Sequence, residues 1–200
     1  MRRVTVEDIT RDAANVQFEP GDSYLLSYPE FIAYFADLDE ITRHNVIIAA
    51  NFTYGWMPRI LTFKSQDLAT AVAILNAARG QRVIGERELS SLRNLIDNSL
   101  VGVSKLLHFI NPTLYAIWDR RVYTYINGSY SQVQIQKPRN YLAFLDNCHE
   151  ITNDGRFEPV HASMNRKIGY EVTPCRALEL VMYWNGNRRP QAEGKRAYRG

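Results

Sequence analysis

The stretch at residues 100–122 constrains the fold and the chemistry of this 200-residue chain more than any other. Gly102 lies between small apolar residues, which predicts a tight backbone turn, and Ser104 is a typical N-cap for a helix that begins at Lys105. The apolar run that follows predicts a buried helix, which an Asn-Pro pair ends. Asp119 then predicts the start of a second helix. An amine and a carboxylate are thereby expected within reach of one pocket.

Lys105 is the candidate nucleophile of this stretch. At the N-terminus of a helix the positive end of the dipole disfavours an ammonium and lowers the lysine pKa. A neutral amine is a nucleophile. His108 follows three positions later on the same helix face, either as a contact of a departing base or as a packed core histidine. From the spacing alone, a solvated lysine and a simple helix cap are the favoured explanation of Lys105 and Asp119.

The same stretch resembles the helix-hairpin-helix superfamily of DNA glycosylases. In that superfamily a Leu-Pro-Gly-Val-Gly-type hairpin precedes a helix with the catalytic lysine, and an aspartate follows. Leu100, Gly102 and Val103 match the hairpin, Lys105 matches the lysine, and Asp119 with Val122 matches the aspartate turn. The strings 104–122 and 173–179 are also similar to compact proteins described as having an 8-oxoguanine DNA glycosylase fold.

The resemblance implies an all-α fold, a two-lobed helical bundle with a helix-hairpin-helix element and a cleft between the lobes. It implies a DNA glycosylase that flips a modified base out of double-stranded DNA and excises it, with Asp119 and Lys105 as catalytic residues. Two mechanisms stay open: Asp119 activates a water, or it assists Lys105 in forming a Schiff base that allows strand cleavage. The excised base also stays open, either a damaged base such as an oxidised purine or a hypermodified base of phage DNA.

Further residues are candidates for the base pocket and for DNA contacts. Large rings on a predicted loop at residues 51–59 can stack on a flipped base or belong to the core. Backbone amides at a helix start and nearby cations favour phosphates. The base-pocket candidates are Asn51, Tyr54, Trp56 and His108. The DNA-binding candidates are Gly102, Ser104, Arg120, Arg121 and, on a predicted loop at residues 157–172, Arg166 and Lys167.

The remaining patterns predict one helical domain at residues 1–186 and a basic, mobile tail at residues 187–200. Apolar periodicity, prolines and polar caps predict further helices at residues 27–41, 42–52, 65–79 and 86–98, from residue 138 to about 148, and at residues 173–184. Alternating Gln and β-branched residues at 132–136 leave a short strand open.

Composition bounds the class of protein. The net charge of +3 permits an anionic partner without requiring one. Two cysteines cannot supply the four thiolates of an iron–sulfur cluster or of a cysteine zinc site, so no metal or other cofactor is expected. With no signal peptide or long apolar run, we expect a cytoplasmic, monomeric protein that does not bind membranes. A non-catalytic DNA-binding module of the same fold is the alternative function; an enzyme acting on RNA or free nucleosides is a third.

Overall fold

The computed structural model describes residues 1–19, 21–57, 60–64 and 68–186, and helices joined by turns and loops make up this part of the chain. It holds no β-strand, and one isolated bridge pairs Phe63 with Ile96. The predicted all-α class is therefore confirmed, while the predicted tail at residues 187–200 lies outside the described residues. The helices are α1 (Val6–Ala13), α2 (Ser23–Ala36), α3 (Arg43–Trp56), α4 (Ala69–Ala78), α5 (Glu86–Leu95), α6 (Leu100–Ile110), α7 (Arg120–Asn127), α8 (Gln132–Ile135), α9 (Pro138–Thr152), α10 (Glu158–Ile168) and α11 (Pro174–Asn185).

Side-chain caps start most of these helices. In each case a Ser, Thr or Asp oxygen accepts a hydrogen bond from a backbone N–H two or three residues further on, which satisfies a donor that the helix leaves unpaired. Proline occupies the first turn of α9, α10 and α11, where it has no N–H to lose. The capping residues are Thr5, Asp22, Thr42, Ser99, Asp119, Ser131 and Thr173. The predicted caps Asp119 and Thr173 are thus confirmed.

Three predicted non-helical segments are wrong. Residues 51–56 continue α3 because Thr53 and Tyr54 are buried on its inner face. The short strand left open at residues 132–136 is absent, since Gln132–Ile135 form the short helix α8, which Ser131 caps. The predicted loop at residues 157–172 is largely α10, in which Val160 and Met164, four positions apart, face the core.

The helices pack in two sets, each around one central helix. Helices α2, α3, α4 and α5 contact α6, whereas α1, α7, α9 and α10 contact α11. Helix α5 also contacts α9 and so joins the two sets. Within the part of the chain that the structure describes, every helix is too short or too polar to cross a membrane. The two central helices carry the charged residues described next.

Candidate active site

A cavity of about 280 Å³ lies where α2, α3, α6, α7 and α11 meet. Its wall contains both residues that the sequence predicts to be catalytic, Lys105 from α6 and Asp119 from the start of α7. The other charged or aromatic residues of the wall are Phe18, Asp22, Tyr24, Trp56, Arg121, Arg176, Glu179, Tyr183 and Trp184. Three acids and three cations share this space with five aromatic rings. A cavity of this kind can both hold a planar ring and exchange protons with it.

Asp119 is positioned by the extended segment that joins α6 to α7. The buried hydroxyl of Ser104 receives a hydrogen bond from the backbone N–H of Trp118 at 3.0 Å and donates to the Trp118 carbonyl oxygen at 3.1 Å. The next residue is Asp119, whose Oδ1 accepts from the Val122 N–H at 3.0 Å. One carboxylate oxygen is therefore held at the helix N-terminus, where the dipole favours an anion. Oδ2 has no hydrogen-bond partner among the described residues.

Other side chains fix the rest of that segment. His108 Nδ1 bonds the carbonyl oxygen of Tyr115 at 2.5 Å, and the Tyr141 hydroxyl donates to the carbonyl oxygen of Ala116 at 3.1 Å. The indole N–H of Trp118 reaches the carbonyl oxygen of Ile135 at 2.9 Å. These bonds satisfy backbone groups of a buried segment that has no regular secondary structure. The position of Asp119 therefore depends on side chains of α6 and α9 and on a backbone carbonyl of α8.

Lys105 lies in the middle of α6, not at its N-terminus. Helix α6 begins at Leu100 and is capped by Ser99, so the predicted cap at Ser104 is wrong. The pKa of Lys105 is nevertheless lowered, because burial penalises the ammonium. Asp119 and Glu179 act in the opposite direction, and Arg176 adds to the lowering. The expected direction of the shift is thus present with a different cause.

Two of the three cavity cations, Lys105 and Arg176, approach the ring of Trp56. The Lys105 Nζ lies 5.0 Å from the centroid of the Trp56 ring, and the Arg176 guanidinium carbon lies 5.9 Å from it. Such cation–π contacts are worth about 0.5–2 kcal/mol each. Because Lys105 and Arg176 already approach this ring, Trp56 is better placed to hold these two cations than to stack on a base. Tyr24, which is 48% exposed, offers a more open ring at the same cavity.

Arg176 and Glu179 form a buried ion pair in the cavity wall that the sequence prediction did not identify. They lie three positions apart on α11, and Nη1 of Arg176 bonds Oε2 of Glu179. Their side chains are only 5% and 1% exposed. Burial raises the pKa of Glu179 to about 7, although Arg176 favours its charged form. The signal in the sequence is an Arg and a Glu one helical turn apart in an otherwise apolar helix.

No family model, curated protein or solved structure matches this chain. The assignment of chemistry therefore rests on the cavity itself. In the described part of the chain, no three His, Cys, Asp or Glu side chains cluster in a way that could hold a metal ion. Cys148 and Cys175 are free and buried in the core.

The turn that precedes α6 lies at residues 96–99, and not at Gly102 as predicted. The turn between α5 and α6 contains Asp97 and Asn98, both in the left-handed region with φ of 53° and 51°. Gly102 instead lies inside α6, where an added Cβ would come within 2.4 Å of the Tyr54 hydroxyl. Its N–H is used by the cap Ser99 at 3.2 Å. The glycine therefore permits close packing of α3 on α6, and its amide is not available to a phosphate.

Ser104, His108 and Tyr54 are packed inside the protein. Ser104 is fully buried and bonded within the fold, so it cannot reach DNA in this structure. His108 is also fully buried, which favours the packed-histidine alternative over contact with a base. Burial lowers the His108 pKa to about 3, so the ring is neutral at pH 7. The ring of Tyr54 lies against Gly102, away from the cavity wall.

Of the next three predicted residues, only Arg121 lines the cavity. Asn51 is exposed on α3, with its amide bonded to the carbonyl oxygen of Ile47 at 2.8 Å, and it does not belong to the cavity wall. Arg121 does belong to the wall and lies over the Tyr183 ring at 4.4 Å. Its neighbour Arg120 is exposed and approaches the Tyr130 ring at 4.9 Å.

The two predicted basic residues of α10 lie away from the cavity. Nζ of Lys167 donates to the carbonyl oxygens of Ala13 and Val16 at 2.8 and 2.9 Å. This lysine therefore ties α10 to the end of α1, and the predicted phosphate contact would require those bonds to break. Arg166 is exposed on the same helix and is not among the cavity residues.

Proposed function

We propose that the protein is a DNA glycosylase that flips a modified base into the cavity between α6 and α11 and cleaves its N-glycosidic bond. The observation that carries the proposal is the meeting of Lys105 and Asp119 in the wall of one cavity. A lysine with a lowered pKa and a carboxylate with one unpaired oxygen are the two groups that this chemistry requires. The resemblance to helix-hairpin-helix glycosylases, with the turn moved to residues 96–99, points to the same reaction.

Asp119 is the group assigned to the developing sugar cation. As the base departs, positive charge builds on the sugar, and a nearby carboxylate stabilises that transition state. At about 4 Å and an effective dielectric near 20, the attraction is on the order of 4 kcal/mol, or nearly a thousandfold in rate. The remaining acceleration has to come from holding the flipped nucleotide in position.

Lys105 is assigned to attack on the sugar C1′. Its partial desolvation raises the fraction of neutral amine, and the Trp56 ring holds the nitrogen beside the cavity. Bond formation between Nζ and C1′ leads to a Schiff base and permits strand cleavage. In the alternative mechanism, water attacks C1′ and Lys105 serves only to bind the sugar phosphate. The two mechanisms differ in whether borohydride traps a covalent adduct.

The size of the cavity favours a single planar base as its occupant. A volume of about 280 Å³ is at the lower end of small-molecule sites, which typically span roughly 300–1,000 Å³. A hypermodified base with a sugar attached would need the wall to open. Exposed Arg120 and cavity-lining Arg121 are the cations best placed to neutralise backbone phosphates near the flipped nucleotide.

The test is release of free base from a panel of duplexes that contain 8-oxoguanine, uracil, 7-methylguanine or glucosylated hydroxymethylcytosine. Wild type is compared with Asp119→Asn, which keeps a good N-cap, and with Asp146→Asn, which removes an exposed carboxylate of α9. We expect base release to fall by about a hundredfold or more in Asp119→Asn and to be unchanged in Asp146→Asn. Binding to all four duplexes without release by wild type would instead identify a DNA-binding module.

A further inference from the structure

The Arg176–Glu179 pair is an unusual feature of a cavity wall. Both side chains are nearly inaccessible, and they belong to one turn of α11. Burying two charges costs more than an apolar pair of similar volume would, so such a pair is weak evidence for stability. Among the described residues, only Glu179 accepts from the Arg176 guanidinium, and only Arg176 donates to the Glu179 carboxylate. Each partner keeps further hydrogen-bonding capacity for a molecule that enters the cavity.

A second set of contacts fixes Arg176 from the other side. Its guanidinium lies 4.7 Å from the centroid of the Tyr28 ring. The Tyr28 hydroxyl is 2.9 Å from Nε2 of His108, whose Nδ1 bonds the carbonyl oxygen of Tyr115. Because a carbonyl only accepts, Nδ1 carries the proton and Nε2 accepts from Tyr28. The arginine, and with it the glutamate, is therefore held rigidly at the cavity.

Two of the three cavity carboxylates, Asp119 and Glu179, have opposite environments. Asp119 caps a helix and accepts a backbone N–H, which suits a carboxylate. Glu179 lies in the middle of a buried helix, 1% exposed, with a single cationic partner. Two carboxyl groups in such different surroundings commonly divide the charged role and the proton-donating role. Asp119 suits the first role and Glu179 suits the second.

We propose that Glu179 is the proton carrier of the reaction: it protonates the departing base and then takes up the proton that the Lys105 nitrogen loses. The inference rests on the proposed glycosylase function and adds a third group to it. Arg176 is the positioning residue that stabilises the Glu179 carboxylate between the two transfers.

The two proton transfers require only the nucleotide, Glu179 and Lys105. The C1′–N bond breaks, its electron pair leaves with the base, and the base takes the proton of neutral Glu179. The lone pair of neutral Lys105 forms the new bond to C1′, which leaves an ammonium at Nζ. Glu179, now a carboxylate paired with Arg176, removes a proton from that ammonium. The carboxyl group is then restored to its starting form.

The pH behaviour of the site agrees with this role. With a pKa of about 7, a large fraction of Glu179 carries its proton at neutral pH. Burial raises the pKa values of the neighbouring phenols and thiol above their ordinary values, so those groups stay neutral there. The titratable and charged groups that act on Glu179 or line the same cavity are Arg176, Asp119, Lys105, Tyr28, Tyr183, Cys148, Asp22, Tyr24 and Arg121. Base release should therefore fall as pH rises above about 7, because the proton donor is lost.

The experiment separates base departure from attack by the lysine. Wild type, Glu179→Gln and Glu150→Gln are compared under single turnover on two probes. The first probe is the duplex of the panel from which wild type releases base fastest, and the second is a duplex with one abasic site, trapped with borohydride. The glutamine keeps an acceptor for Arg176, and Glu150 is a surface residue that pairs only with Arg3 among the described residues.

We expect Glu179→Gln to release base at least about a hundredfold more slowly, without the decline above pH 7. Its adduct with the abasic duplex should form no more than about tenfold more slowly than that of wild type, because no base has to leave and water can replace Glu179 in the second transfer. Equal losses on both probes, or no loss on either, would overturn the inference while leaving the glycosylase function intact. If Glu179→Gln does not fold, a wild-type rate that stays constant from pH 6 to 9 overturns it. Wild type that acts on neither probe refutes the proposed function and the inference together.

Discussion

Replacement of Ser104 by Ala tests how the fold positions Asp119. The sequence predicts that this serine caps a helix and faces DNA, whereas the structure places its hydroxyl between α6 and the segment leading into α7. Removing the hydroxyl leaves the Trp118 N–H without its acceptor in a fully buried site. It also removes a donor from the Trp118 carbonyl oxygen. Both losses occur one residue from Asp119.

The size of the effect follows from these bonds. A buried N–H left unsatisfied costs about 1–3 kcal/mol, and the lost bond to the carbonyl adds roughly 1 kcal/mol. The hydroxyl has one proton, so its bonds to the carbonyl oxygens of Val101 and Trp118 cannot both be counted fully. We therefore expect Ser104→Ala to lower the free energy of unfolding by about 2–4 kcal/mol. Asp119 should also become less well fixed.

Urea denaturation measures this loss, and Ser90→Ala is the matched control. The Ser90 hydroxyl donates to the carbonyl oxygen of Glu86 on the exposed side of its own helix, so its removal should change stability by no more than about 0.5 kcal/mol. A loss of under about 0.5 kcal/mol in Ser104→Ala would refute the role derived from the structure. Unchanged stability together with weaker duplex binding would restore the serine as a DNA contact.

Three further predictions concern α6. Gly102→Ala brings a Cβ against the Tyr54 ring, so thermal unfolding should show a loss of about 1–3 kcal/mol; an unchanged melting temperature would contradict the close packing. His108 stays neutral down to about pH 3, while the unfolded chain binds its proton below about pH 6.5. Wild type should therefore lose stability relative to His108→Asn by roughly 1.4 kcal/mol per pH unit between these values, and parallel denaturation curves at pH 7, 6, 5 and 4 would argue against it. The pKa of Lys105 is lowered in the folded state, so the unfolded state binds more protons below about pH 10. Wild type should gain stability relative to Lys105→Met from pH 7 to 9.5, and a constant difference would show that the amine is not desolvated.

The sequence predicts the all-α class and the starts of α7 and α11 well, because the local signals there agree. Asp119 precedes a helix and caps it, and Thr173 with Pro174 begins α11 as expected. These signals are strong because the cap and the proline act within one turn of the chain. The turn before α6 was misplaced because Ser99 and Ser104 are both adequate caps, and only packing of Gly102 against Tyr54 decides between them.

The rest of the site depends on contacts distant in sequence. Arg176 and Glu179 lie in a helix that periodicity predicts, but their burial in a cavity requires α2, α3 and α6 to be in place. The sequence predicts that Lys167 contacts DNA, whereas in the structure its amine donates to two carbonyl oxygens at the end of α1. No local pattern distinguishes a buried cation from an exposed one. The residues of the cavity wall therefore come together only when the two sets of helices pack against each other.

The most direct test of the account is to identify the residue that attacks a sugar C1′. Wild type is incubated with a duplex that contains one abasic site, the adduct is reduced with borohydride, and the cross-linked peptide is sequenced by mass spectrometry. We expect a single adduct on Lys105, which is lost in Lys105→Gln. An adduct on any other amine would contradict the assignment of Lys105. A wild type that releases base from the modified duplexes but forms no adduct with the abasic duplex would establish the hydrolytic mechanism in its place.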